Sequence, residues 1–151
     1  MRLEFSGSPE IAATPEQIWA RLLDPNFVAS VAPGVESVES VDERHYRVVS
    51  EVGVGSVRMR FQLDVELSEV VPPKSLKLSA RGRAPGSNIE VNFALEIEHV
   101  APSPPRLKWG ATSEVRGTVA SVGARLLKGT AKKLTESFWE RFAERVVQAS
   151  K

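Results

Sequence analysis

From Val57 to Ser68 the chain alternates without a slip. Val57, Met59, Phe61, Leu63, Val65 and Leu67 are apolar, and Arg58, Arg60, Gln62, Asp64, Glu66 and Ser68 are polar. A period of two puts each set on its own side of a β-strand, so one face is wet and the other is built for a core. The same pattern predicts strands from Leu3 to about Ile11 and at Val35 to Val41, His45 to Val52, Leu76 to Ala80, Ile89 to Ile97 and Leu107 to Val115. Glycine and proline collect between them, at Gly53-Val54-Gly55, Val71-Pro72-Pro73-Lys74, Gly82 to Gly86 and Pro102-Ser103-Pro104-Pro105. These are turns, and Gly53 to Gly55 and Gly82 to Asn88 are the expected mobile rims.

Elsewhere the period changes to that of a helix. Thr14-Pro15-Glu16-Gln17 is a helix start, with threonine as cap, proline at the first helical position and glutamine placed to close a capping box. Ile18, Trp19, Leu22 and Leu23 follow as its buried face. Asp24-Pro25 opens a second short helix through Phe27, Val28 and Val31, which Pro33-Gly34 ends. From Val119 onward, Val122, Leu126, Leu127, Ala131, Leu134, Phe138, Phe142 and Val146 form one helical stripe without a proline. Thirty residues at 1.5 Å each predict a rod of roughly 45 Å. Gly117, Gly123 and Gly129 fall in its first half and its phenylalanines in the second, so it reads as a lid that leaves room beneath one end. Trp139 falls off the stripe, as a candidate exposed contact or a rim packing residue.

Strand, two short helices, six strands and a long helix, each strand apolar on one side only, describe an antiparallel sheet that curls around the last helix. The predicted class is α+β with a helix-grip architecture of about seven strands, one domain over residues 1–151.

Composition narrows the function. Twenty basic against nineteen acidic side chains leave the chain near neutral, which argues against a nucleic-acid binder. Zero cysteines remove disulfides, thiol nucleophiles and the commoner zinc sites. Met1-Arg2-Leu3-Glu4-Phe5 is no signal peptide, and no apolar run approaches membrane-spanning length. A cytoplasmic protein is expected, peripheral at most at the inner face of the membrane.

Several segments in order carry a family resemblance. They are Asp24-Pro25, Pro33-Gly34-Val35-Glu36-Ser37-Val38, Val52-Gly53-Val54-Gly55 and the run from Gly117-Thr118-Val119-Ala120 to Arg125-Leu126-Leu127. Together, from Phe5 to about Phe142, the chain resembles the CoxG family of carbon monoxide dehydrogenase subunits, within the START-like (SRPBCC) ligand-binding superfamily. The resemblance implies a helix-grip fold with an apolar cavity between sheet and C-terminal helix. It also implies an accessory role beside molybdenum hydroxylases, helping them meet the membrane and its quinone pool. Many relatives continue into a linker and a membrane-anchoring tail, whereas this chain stops at Lys151, so transient rather than stable membrane contact is expected.

Candidate chemistry is sparse. His45 and His99 have no carboxylate or second histidine at a ligand spacing, so both read as surface or strand-edge residues, and no metal or cofactor is expected. No serine sits in a Gly-x-Ser-x-Gly elbow, and Gly53-Val54-Gly55 lacks the helix and lysine of a phosphate loop. The apolar positions carry the proposal instead. Trp19, Phe27, Val57, Met59, Phe61, Leu63, Phe93, Leu95, Trp109, Val122 and Leu126 are the expected cavity wall, with aromatic sides for a flat ring and Met59 as a pliable filler. Ordinary core packing would use the same residues. Arg125, Lys128, Lys132 and Lys133 form a stretch without acids, the first three on one helix face, suited to an anionic membrane surface or an acidic partner. A non-enzymatic carrier for an apolar ligand such as an isoprenoid quinone is the leading expectation. A docking or assembly factor for a molybdenum hydroxylase is the alternative. A START-like cyclase or hydrolase ranks third, because only Tyr46 and Ser113 break the apolar inward lists.

Overall fold

A computed structural model of the chain describes residues 1–149, so the last two positions of the expected 1–151 domain lie outside the described residues. Seven strands form one antiparallel sheet: β1 (Arg2–Gly7), β2 (Val35–Ser40), β3 (His45–Val54), β4 (Val57–Val71), β5 (Ser75–Ala84), β6 (Ser87–Glu98) and β7 (Arg106–Gly117). Their spatial order is β1-β7-β6-β5-β4-β3-β2, so β5 is central and β1 and β2 are the edges. Helices α1 (Pro15–Leu22) and α2 (Pro25–Val31) carry the chain from one edge to the other, and α3 (Ala124–Ala149) follows the sheet.

Local chemistry sets these elements. Thr14 and Gln17 close the expected capping box at α1, the Thr14 hydroxyl accepting from Gln17 N at 3.1 Å and the Gln17 side chain from Thr14 N at 2.9 Å. The Asp24 carboxylate accepts from the N–H groups of Asn26 and Phe27 and starts α2, with Pro25 at the first turn. In β4 the arginines and carboxylates point out and the Val57 to Leu67 set points in, as the alternation requires.

Boundaries differ most from the periodicity in three places, and β3 also runs on through Val54 and β6 begins at Ser87, inside the expected rims. β1 stops at Gly7, and the chain touches the sheet again only at an isolated bridge from Glu10 to Arg106. β5 runs on through Gly82 to Ala84, where the glycine serves close packing and not a turn: a side chain there would lie 2.5 Å from Ile89 Cγ2 and 2.7 Å from Leu63 Cδ2. The long helix begins at Ala124 rather than Val119. Thr118–Val122 is a short 3-10 helix, set off by Gly117 at φ 86 and Gly123 at φ 99, left-handed conformations that no α-helix contains. The remaining 26 residues make a rod of about 39 Å.

Candidate ligand-binding site

The register of the sheet aligns its inward residues in rows. One row crosses six strands as Tyr46, Val65, Ala80, Val91, Ser113 and Leu3. A neighbouring row runs Leu67, Leu78, Phe93, Ala111 and Phe5. Central strands on the helix side should be the driest part of the fold. Yet Val65, Ala80, Val91, Leu78, Phe93 and Ala111 are only partly buried. Residues closer to the strand ends, Phe61, Leu67, Leu76, Leu95 and Leu107 among them, are buried. A side chain on the covered face keeps accessible surface only where a water-sized space adjoins it. The middle of the inner face is therefore less buried than its two ends.

Both ends of this region are closed. Under the C-terminal half of α3, Trp109, Trp139 and Phe142 pack with Phe27, Phe93 and Phe138. Phe27 meets Phe142 edge-on at 5.6 Å, Phe93 stacks on Trp109 at 6.0 Å, and Trp109 leans on Trp139 at 6.2 Å. The other end, under the 3-10 helix and the start of α3, is closed by Leu3, Val54, Phe61, Val115, Val119 and Leu127. The Ser87 hydroxyl fixes this lid, accepting from Val119 N at 2.9 Å.

The residues expected in a cavity wall divide between these two clusters. Trp19, Phe27, Phe93, Leu95 and Trp109 belong to the aromatic end, where their rings fill space against one another. Phe61, Met59, Leu63 and Val122 belong to the other end, and Val57 is half-buried at the β3–β4 hairpin. Leu126 is corrected from wall to rim: it is 50% exposed, with its Cδ1 3.8 Å from where a side chain at Gly55 would begin. Trp139 is 8% exposed and thus a core residue, because the buried face of α3 spans Trp139, Phe142 and Val146 and is wider than the single stripe. Val65, Ala80, Val91 and Ala111 form the half-buried middle between the clusters and are not among the residues expected in the wall, although each alternates inward like its neighbours.

A cleft of about 790 Å³ opens between β1 and α3. Its apolar sides are Phe5, Trp109, Trp139 and Ala143, and it meets the inner face at Phe5, which pairs with Ala111. Lys128 and Lys132 stand on its rim beside Glu4, Glu10, Glu136 and Glu140. The Lys132 ammonium lies 4.0 Å from Glu136, so this rim is mixed in charge rather than basic. Arg125 and Lys133 are exposed outside the cleft. Among the described residues Arg125, Lys128 and Lys133 have no carboxylate in ion-pair range. Depressions of 760 and 690 Å³ also lie on the outer side of the sheet over Ala94 and Gly110. The Glu69–Lys77 pair, at 3.0 Å, stands at their edge.

The histidines lie away from this site. His45, exposed at the start of β3, holds Asp42 at 2.8 Å through Nδ1 and faces Glu66 at 3.7 Å through Nε2. Its pKa is raised, chiefly by the hydrogen bond to Asp42, while the Asp42 carboxyl is lowered by the Arg44 backbone N–H and then by His45. His99 is exposed beyond β6. Among the described residues no three His, Cys, Asp or Glu side chains are grouped to hold a metal ion. No helix among them is long and apolar enough to cross a membrane.

A curved antiparallel sheet, two short helices after its first strand and a C-terminal helix over the inner face define the START-like helix-grip class. Solved structures agree. A conserved protein from Geobacillus kaustophilus superposes with a TM-score of 0.91 at 25% identity, over 99% of this chain and 98% of that one. The ZhuI aromatase/cyclase from Streptomyces sp. R1128 gives 0.76 at 12% identity, over 100% and 97%. A START superfamily protein from Mycobacterium smegmatis gives 0.73 at 15% identity, over 97% and 98%. No curated protein matches the sequence. Within the class, the model of the CoxG family of carbon monoxide dehydrogenase subunits matches residues 7–147, and the chain belongs to that family.

Proposed function

We propose that this protein is a non-enzymatic carrier for an apolar, lipid-like ligand held between the inner face of the sheet and α3, an isoprenoid quinone being the ligand class we favour. The enzyme it serves would be a molybdenum hydroxylase of the carbon monoxide dehydrogenase type, a reading that leans on the family alone. One observation supports the carrier reading: the row Val65, Ala80 and Val91 is apolar, central and only half-buried, beside a cleft of the size small-molecule sites have. Hydrophobic burial would supply the affinity, and a guest would complete packing that the chain itself leaves unfinished.

Absence of catalysis is part of the proposal. Among the described residues the inward strand positions carry Ser40, Tyr46, Ser50, Ser87 and Ser113 and no carboxylate, imidazole or amine. Ser87 is occupied as the cap of Val119, and the Tyr46 hydroxyl donates to Glu43 O at 3.0 Å. The carboxylates and lysines nearest this face stand on the cleft rim, so the strand positions themselves offer no general acid or base, which supports the carrier reading.

Native mass spectrometry of protein purified without detergent tests the carrier. A co-purifying apolar molecule that organic extraction removes is the expected result. Bare protein that also fails to take up added isoprenoid quinone would sink it. Among the described residues Arg125, Lys128 and Lys133 have no acidic partner, which favours a second role, docking on an acidic partner surface. Charge reversal at these positions should abolish recovery of a molybdenum hydroxylase in a pull-down, and unchanged recovery would remove that role.

A further inference from the structure

We propose that α3 carries a self-recognition stripe, and that its partner is a second copy of this chain turned end for end against the same flank of the helix. The stripe is Lys128, Lys132, Glu136 and Glu140, one charge at every fourth residue. Residues four apart on a helix are neighbours along one ridge, so these groups follow each other at about 6 Å intervals over roughly 18 Å. All of them are exposed, and all line the α3 side of the cleft that faces β1. β1 is an edge strand, so no further strand of the sheet lies beyond it.

Within one chain the order of these charges is unfavourable. Lys128 stands one turn before Lys132, and Glu136 one turn before Glu140, and like charges at that spacing repel. Opposite charges meet where the Lys132 ammonium lies 4.0 Å from the Glu136 carboxylate, with the lysine on the N-terminal side, the weaker order for such a pair. The other carboxylates on the cleft rim are engaged, Glu4 by Arg2 at 3.1 Å and Glu10 by Arg106. Among the described residues Lys128 and Glu140 have no oppositely charged side chain in ion-pair range.

An order of positive, positive, negative, negative is complementary to its own reverse. A two-fold axis passing between Lys132 and Glu136 sets Lys128 against Glu140 of the second copy and Lys132 against Glu136 of the second copy, and symmetry repeats both contacts. A parallel arrangement would oppose lysine to lysine and glutamate to glutamate, so the pattern fixes the orientation as antiparallel. Ridges of residues four apart are also those that interlock in the commonest helix packing, with axes crossing at about −50°. A partner surface of one sign would satisfy half of the stripe and oppose the other half, whereas a second copy satisfies all of it. The second α3 would also lie over the mouth of the cleft.

Sedimentation velocity on the full chain tests this. Exposed ion pairs are weak singly and screened by salt, so the parent is expected to dimerise with a Kd on the order of 50 μM at about 50 mM salt and to weaken about tenfold at roughly 500 mM. Lys128→Glu with Lys132→Glu makes the stripe wholly acidic, Glu136→Lys with Glu140→Lys makes it wholly basic, and each double variant should be monomeric at about 200 μM. Mixed together, the two should form a heterodimer at least as tight as the parent dimer, which also shows that both are folded. All four substitutions in one chain restore a self-complementary order, and homodimers should return. Lys133→Glu, outside the stripe, should leave dimerisation within about twofold of the parent. A parent that stays monomeric at about 200 μM in low salt would overturn the proposal. So would a dimer that survives either reversal, a mixture of the two reversals that stays monomeric, or an equal loss in Lys133→Glu.

Discussion

Ala80 decides whether the inner face is packed or left open. It lies on β5, the middle strand, between Val65 and Val91, and is partly buried on the face that α3 covers. Replacing it with leucine adds three carbons to that spot. At about 0.8 kcal/mol per buried methylene, complete burial would stabilise by roughly 2.4 kcal/mol. The position retains exposure, which halves that figure, and fixing the leucine side chain costs about 0.5 kcal/mol of rotamer freedom. The net expectation is stabilisation by roughly 0.5–1 kcal/mol, or a rise of about 2–4 °C in the thermal midpoint for a chain of this size.

A solid core gives the opposite sign. Adding methylenes where no space exists forces side chains off their rotamers and destabilises by about 1–3 kcal/mol. Urea denaturation of Ala80→Leu beside the parent therefore discriminates by direction and not merely by size. Ala94→Leu is the control, since Ala94 is exposed on the outer face of β6, and it should move stability by less than about 0.5 kcal/mol. The leucine at 80 would also occupy the proposed ligand space, so affinity for added isoprenoid quinone should fall as stability rises. Loss of about 1 kcal/mol or more, the signature of overpacking, would refute the incompletely packed inner face and the carrier with it.

Three further outcomes follow from particular contacts. Phe142→Ala removes a ring that is 0% exposed and touches Phe27, Phe138 and Trp139, so chemical denaturation should register a loss of about 3–5 kcal/mol. Gly117→Ala places a side chain 2.0 Å from Gly86 O at a φ of 86, and a loss of about 2 kcal/mol or more is expected, with Gly129→Ala, which meets nothing within 4 Å, neutral or mildly stabilising. His45 is raised above its ordinary 6.5, so whatever it contributes is complete below pH 6.5 and lost as pH climbs through its elevated pKa. The Asp42 contribution is complete above pH 3.8 and lost as pH falls through its lowered pKa. An NMR titration should find His45 above 6.5 in the parent and moved down in Asp42→Asn; a parent value at or below 6.5 would contradict the pairing.

Much of this fold is written in local pattern. The alternation at Val57 to Leu67 assigns the two faces of β4, and Thr14 with Gln17 marks the start of α1 before any coordinate is known. Depth is not local. Val65, Ala80 and Val91 alternate inward just as Phe61 and Leu95 do, and only the path of α3 over the sheet makes the first group half-exposed and the second buried. Trp139 escapes the pattern for a related reason, since a stripe drawn at steps of three and four is narrower than the face a helix buries between a sheet and two more helices. The start of α3 is hidden because apolar spacing continues through Gly123, while φ 99 there does not. Ser113 stands out in the sequence only as a break in an apolar list; its buried hydroxyl has no hydrogen-bond partner among the described residues, which depends on neighbours in β1 and β6 that sequence spacing does not reveal.

These placements give α3 two different jobs. Its C-terminal half carries Phe138, Trp139, Phe142 and Val146 into an aromatic mass shared with α1, α2 and β7, and that mass anchors the helix whatever happens elsewhere. Its N-terminal half contributes Leu127 to a smaller aliphatic cluster and is preceded by a 3-10 turn between two left-handed glycines. Local opening costs least where few apolar contacts must be broken, so the Thr118–Val122 end is the easier of the two to open. A chain selected only for stability would fill the row at Ala80 and satisfy the buried donors at Trp109 and Ser113, which lack hydrogen-bond partners among the described residues. Leaving both undone forgoes stability, a cost that the proposed carrier role would account for.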